Sequence, residues 1–263
     1  MANPPRAVGA IERPGHLPTE VAAAWDELAR PTRGARFDPD AVADLPPPAV
    51  RWLRRSIPAE ARLARAGRLT MHGEIRIGRW IGFTATQVLS LPDGFVWAAS
   101  AGIGPLQITG CDRFTGGTGE MRWRLVGLIP VMSSSGDDVS RSAAGRLAAE
   151  ATLIPTACVA LGVPWTPVDD RHATAGVRVG DRVHDVTIEV DDGGALRGVQ
   201  LPRWGNPDGG AHALHTFGVE MGDPQDLGGL AVPTTLRAGW WPGTDRWDEG
   251  EFFRATIDRF EPL

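Results

Sequence analysis

The spacing of apolar positions changes near residue 63. Before it, the spacing is helical: in PTEVAAAWDELAR, residues 18–30, Val21, Ala24, Trp25 and Leu28 fall on one stripe, with Thr19 as a candidate cap and Glu20 in the first turn. DPDAVADL (38–45) and PPAVRWLRRSI (47–57) predict a second helical pair, broken at Leu45-Pro46-Pro47-Pro48 and ended by Pro58. Residues 1–17, rich in Pro, Gly and Arg, predict a loose arm.

From residue 63 onward the period is two. LTMHGEIRIG, RWIGFTATQVLSL, GFVWAAS, PLQITGCDRF and GEMRWRLVGLIPV alternate apolar with polar or small residues, and Pro92-Asp93-Gly94 marks a hairpin between two of them. The pattern resumes in HATAGVRV, RVHDVTIEV and ALRGVQLPRW, with turns at Gly180-Asp181 and 191–194, and ends in HTFGVEM, LAVPTTLRAGWW and GEFFRATIDRF. GGTGE at 116–120 reads as a hairpin turn, and Ser133 to Gly136 as a flexible link. Roughly ten strands with short connections predict an antiparallel sheet large enough to curl. The fold class is therefore mainly β (α+β): a large curved antiparallel sheet forming a half or whole barrel, with a central helix at its concave side and N-terminal helices packed outside. The expected division is an arm and helices over 1–62 and a half-barrel over 63–263 that contains the inserted helix 138–154.

That helix carries the first candidate chemistry. Asp137, Asp138 and Ser140 are possible N-caps, and Pro155 ends or kinks the run. Ser142, Arg146 and Glu150 share one face at i, i+4 and i+8, beside an apolar face of Ala143, Leu147, Ala151 and Ile154. With the apolar face on the sheet, the polar stripe sits at the mouth of the concavity. Arg146 and Glu150 then have two readings: an exposed ion pair, or the polar end of a pocket in which Glu150 moves a proton and Arg146 and Arg141 hold an anion.

Composition narrows the alternatives. The net charge is −5 and all 27 basic residues are arginine, which excludes Schiff-base lysine chemistry and disfavours nucleic acid as a partner. There is no tyrosine, but the 10 tryptophans supply large apolar area. Trp123, Trp204, Trp240 and Trp241 fall on predicted strands, either as core or as walls of a ligand cavity, with Arg122, Arg124 and Glu251 as polar neighbours. Glu251 and Glu120 rival Glu150 as the inward carboxylate; in GEFFR, simple alternation puts Glu251 with Phe253 on one face and Phe252 with Arg254 on the other. Cys111 and Cys158 form no framework, and His212 with His215 lacks a third ligand at a familiar spacing, so neither a disulfide, a metal nor another cofactor is expected. No window approaches the ~18 apolar residues of a spanning helix, and the start of the chain lacks the apolar core of a signal peptide. A cytoplasmic protein without integral membrane association is expected.

The blocks MRWRLVGLIPV, RSAAGRLAAE, PRWGNPDGG and GWWPGTDRWDEGEFFR resemble a family of unknown function frequent in actinobacteria, over about residues 37–260. The resemblance implies a broad sheet wrapped around a helix, similar to the lipoprotein-carrier half-barrels. It implies no activity. Where members often carry Trp two positions before the helix-ending proline, this chain has Leu153, which implies a reshaped pocket.

Three classes of function follow from these readings, the third and least favoured being a structural or regulatory partner protein. The first is a cofactor-independent enzyme of secondary metabolism, a cyclase or isomerase acting on a bulky apolar molecule by acid–base catalysis. The alternative is a non-catalytic binder or carrier of hydrophobic, lipid-like ligands. Either takes an apolar small molecule as its partner.

Overall fold

The computed structural model describes residues 9–32, 34–103, 106–125 and 129–263. Among these residues, thirteen strands form one open antiparallel sheet. The first six are β1 (Ala66–Ile77), β2 (Arg79–Ser90), β3 (Gly94–Ile103), β4 (Leu106–Thr115), β5 (Thr118–Leu125) and β6 (Ile129–Ser135). The other seven are β7 (Trp165–Pro167), β8 (His172–Val179), β9 (Arg182–Val190), β10 (Leu196–Gly205), β11 (Ala213–Leu227), β12 (Leu230–Trp240) and β13 (Glu251–Pro262). Their order is β6-β5-β4-β3-β2-β1-β13-β12-β11-β10-β9-β8-β7. Two meanders thus meet where β1 pairs with β13, and β6 and β7 are the free edges.

This topology dictates the path of the one long connection. The chain leaves the sheet at one edge, β6, and re-enters it at the other, β7. Between them run α3 (Asp137–Glu150), a short 3-10 turn (Ala151–Leu153) and α4 (Pro155–Ala160). α3 packs on β5 and β4 from one arm of the sheet and on β10, β9 and β8 from the other. It is therefore a strap across the concave face. Ala144, Leu147, Ala148 and Ala149 are buried beneath it, and their small size lets the helix approach the strands closely.

Local chemistry sets the ends of the strap. Gly136, with φ +108°, is the N-cap and offers no side-chain cap, while Asp137 and Asp138 lie in the first turn, where their charge complements the helix dipole. Ser140 ties the first turn to the sheet: its hydroxyl accepts from Gly119 N (2.9 Å) and donates to Gly136 O (2.8 Å). None of Asp137, Asp138 or Ser140 is thus the cap. Pro155 opens α4 as its first residue, because a missing N–H costs nothing there, so the long helix ends at Glu150 and not at 154.

The serine stretch is not a link. Ser133, Ser134 and Ser135 pair with Arg122, Met121 and Glu120 of β5, since an adjacent strand satisfies their backbone whatever their weak intrinsic preference. The β4–β5 hairpin turns at Gly116 and Gly117, both at positive φ (57° and 78°), as the GGTGE stretch predicts.

The two faces of the sheet have separate cores. On the convex side, α1 (Thr19–Leu28) lays Val21, Trp25 and Leu28 on Val88, Val96, Ala98 and Cys111. The main core lies on the concave side and includes α3, α4 and α2 (Pro47–Ser56), whose Trp52 meets Trp165 edge to face with centroids 5.9 Å apart. Among the described residues, no helix is long and apolar enough to cross a membrane.

Candidate functional site

The strap does not fill the concavity. Between α3 and the strands lies a cavity of about 400 Å³, within the range typical of small-molecule sites. Strand parity builds its wall. Phe95 and Trp97 of β3, Phe217, Val219 and Met221 of β11, and Leu236, Ala238 and Trp240 of β12 each recur at i, i+2 and line the cavity. Phe83, Trp97 and Phe253 stack or meet edge to face at 5.2–6.2 Å.

One wall breaks the parity. The register between β12 and β13 shifts at Ala238/Gly239, so Ala238 faces Phe253 while Gly239 faces Glu251. Phe252 is the extra residue of this bulge, and both Phe252 and Phe253 line the cavity. The alternation expected for GEFFR is thereby overturned. Glu251 is buried outside the cavity, between Arg237 (Nε–Oε1 2.8 Å) and Arg254 (Nη2–Oε2 2.6 Å). The hydrogen bond from Arg254 lowers its pKa most; burial opposes this, Arg237 adds to it, and the result is about 2. Glu251 is a structural anion.

The polar end of the cavity is a hydrogen-bonded charge cluster. Arg146 donates from Nε to Glu150 Oε1 (2.7 Å) and from Nη1 to Asp112 Oδ2 (3.3 Å). Gln87 holds the other oxygen of Glu150 (2.6 Å), and the indole N–H of Trp123 holds the other oxygen of Asp112 (3.1 Å). Every carboxylate oxygen of the pair therefore accepts a hydrogen bond, which is what keeps buried charge tolerable. Burial pushes the Asp112 carboxyl above its ordinary range, against Arg146 and the Trp123 hydrogen bond. Burial lowers the pKa of Arg146, but Glu150 and Asp112 outweigh it and leave the guanidinium above its usual value.

Arg203 enters the same end from β10. Its Nε donates to Ser142 O (3.1 Å), and its guanidinium lies over Phe217 and Trp240, 4.6 and 5.7 Å from the ring centroids. Gly145 makes room for it: a Cβ there would stand 3.2 Å from Arg203 Cγ. A glycine inside a helix costs about 1 kcal/mol relative to alanine, and here it admits a side chain into the cavity wall.

The expected residues separate into groups. Glu150, Arg146 and Trp240 line the cavity. Trp123 does not, yet it packs on Trp97 at 5.7 Å and supports Asp112. Arg141 and Trp204 lie beside the mouth, the guanidinium stacked 3.5 Å above the indole while Trp204 Nε1 donates to Asp138 (2.7 Å). Trp241, at φ +58°, leaves the strand and carries Arg246 over its ring at 3.5 Å. Arg122 reaches across to Glu20 of α1 and to Glu120, and Arg124 is exposed. Arg141, Trp204, Trp241, Arg122, Arg124 and Glu251 thus stay out of the cavity wall: Arg122, Arg124 and Trp204 alternate with the inward-facing Trp123 and Arg203, Trp241 leaves its strand, and the bulge displaces Glu251.

Within the charge cluster, Asp112, Gln87 and Arg203 are not among the residues that the sequence singles out. Each carries a signal: Asp112 is in phase with Ile108 and Phe114, Gln87 with Ala85 and Leu89, and Arg203 with Val199 and Leu201. A polar residue in phase with a buried stripe marks either an edge or a site.

Among solved structures, the fold is similar to a LolA superfamily protein from Nitrosomonas europaea (7% identity, TM-score 0.43, covering 82% of this chain and 92% of that one). It is also similar to a domain described as an outer membrane lipoprotein-sorting protein from Vibrio parahaemolyticus (7% identity, TM-score 0.42, 75% and 85% covered). A DUF1329 family protein from Desulfovibrio piger matches at 12% identity and TM-score 0.34, with 86% and 94% covered. Likeness at this level carries no argument about ligand or activity. No curated protein matches the sequence. The model of DUF6544, a family of unknown function, matches residues 35–252, and the chain belongs to that family.

Proposed function

We propose that this protein binds a hydrophobic small molecule in the cavity beneath α3 and does not transform it. The cavity itself carries the reading: about 400 Å³ walled by aromatic and aliphatic side chains and closed at one end by a compact polar cluster. Apolar ligand surface moved there from water contributes about 25 cal/mol per Å². The strap, anchored on both arms of the sheet, holds the walls apart without the ligand, so little ordering cost is left to binding.

The proton-transfer reading has less support. An acid or base must exchange its proton with substrate, yet Glu150 is held through one oxygen by Arg146 and through the other by Gln87. Such a carboxylate is better suited to keeping Arg146 in place. Glu150→Gln is accordingly expected to leave ligand affinity within about tenfold.

Displacement of a fluorescent fatty-acyl probe, with native mass spectrometry for stoichiometry, tests the binding reading. One site is expected, with ligand recovered chemically unchanged. Ala238→Phe puts a ring into the cavity and is expected to weaken binding about tenfold or more while the protein stays folded. Unaltered affinity in that variant places the ligand elsewhere.

A further inference from the structure

We infer that the ligand is an amphiphile with a carboxylate head, and that Arg203 is the residue that receives it. The inference rests on the cavity being a binding site and concerns what distinguishes one apolar molecule from another there.

Two arginines occupy the polar end, and they are not equivalent. Arg146 is neutralised by two carboxylates, Glu150 on Nε and Asp112 on Nη1. Arg203 makes only the Nε bond to the Ser142 carbonyl; among the described residues, neither of its terminal nitrogens has a hydrogen-bond partner and no carboxylate lies within ion-pair distance. Glu150 and Asp112 cannot swing to it without abandoning Gln87, Trp123 or Arg146. Phe217 and Trp240 pack against the Arg203 guanidinium, and its two terminal nitrogens, the pair that forks onto a carboxylate, are left without partners. Burial and the like charge of Arg146 bring its pKa down to about 10, and it remains a cation at neutral pH.

A second group points the same way. Trp97 lines the cavity, is 2% exposed, and its indole N–H has no partner. Buried N–H groups are almost always paired, so this solvent-inaccessible indole leaves an unmet donor next to the cavity wall. The site thus offers an unpaired guanidinium, with an unmet indole N–H nearby, beside Glu150 and Asp112, whose own oxygens are all engaged. A single guanidinium suits a singly charged, two-oxygen group better than a phosphate dianion, and Asp138 in the cavity lining adds to the penalty for a second negative charge. The apolar body then lies along Met221, Leu236, Phe252 and Phe253.

The test compares dodecanoate, dodecanol and methyl dodecanoate by calorimetry at neutral pH. These share a chain and differ only at the head. The wild-type protein is expected to prefer dodecanoate by about tenfold to a hundredfold, the scale of one charge-assisted pair. Arg203→Met is expected to erase that preference, dodecanoate losing about tenfold or more relative to dodecanol, and Arg203→Lys to retain most of it. Equal wild-type affinity for acid and alcohol overturns the inference and leaves the cavity reading standing; absence of binding by all three overturns both. Should Arg203→Met fail to fold, the wild-type comparison and the lysine variant still decide.

Discussion

Single side chains here divide into those that stabilise and those left for a ligand, and titration separates them. Glu251 has a folded pKa of about 2, set by Arg254 and Arg237 against burial, compared with an ordinary 4.5. A depressed carboxylate contributes stability above its unfolded pKa and loses it as pH falls toward the folded value. The contribution has a ceiling of about 3 kcal/mol, lowered to on the order of 1–2 kcal/mol because the two guanidinium groups are half in solvent. Asp112 titrates with the opposite sign, since burial raises it, so the wild-type curve alone mixes the two. The difference in urea stability between wild type and Glu251→Gln isolates Glu251. It is expected to be largest near pH 6 and to shrink steadily between pH values of about 4.5 and 2. A difference that persists at low pH would assign the loss to packing.

At the scale of elements, the strap is the device on which the cavity depends. α3 is held by small buried residues and by Leu147, which is fully inaccessible. Leu147→Ala is expected to cost about 2–5 kcal/mol in denaturant unfolding and to weaken ligand binding as well, because the helix carries Arg146 and Glu150 into the wall. Loss of stability with unchanged affinity would show that the cavity forms without a well-seated strap. The β13 bulge is the second such device: one extra residue turns two adjacent phenylalanines to the same side and sends Glu251 to the other. Strand periodicity alone cannot yield that outcome.

The whole molecule is a sheet with a core on each face, and the two cores have different work. The convex core under α1 shields Val88, Val96, Ala98 and Cys111, none of which lines the cavity. Trp25→Ala is therefore expected to lower stability by about 3–5 kcal/mol while ligand affinity in the folded protein is unchanged. Calorimetric unfolding together with the acyl-probe titration checks both halves. Coupled loss would mean that convex packing sets the curvature of the sheet and, through it, the cavity.

The sequence by itself determined the change from helical to strand periodicity, the inserted helix and the shared face of Arg146 and Glu150, because these depend on residue spacing along one element, and the short links between strands pointed to an antiparallel sheet. The sequence left Trp204, Trp240 and Trp241 as either core or cavity wall; of these Trp240 lines the cavity, while the bulge takes Glu251 away from it. Only the tertiary structure decided that β1 closes on β13 and that α3 must consequently cross from one edge of the sheet to the other. That crossing brings residues from β2, β4, β10 and α3 together at one end of the cavity. Gln87, Asp112, the Arg146–Glu150 pair and Arg203 come from distant parts of the chain, and nothing in the spacing of any one element says that their charges meet, or that one of the two arginines is left without a carboxylate partner.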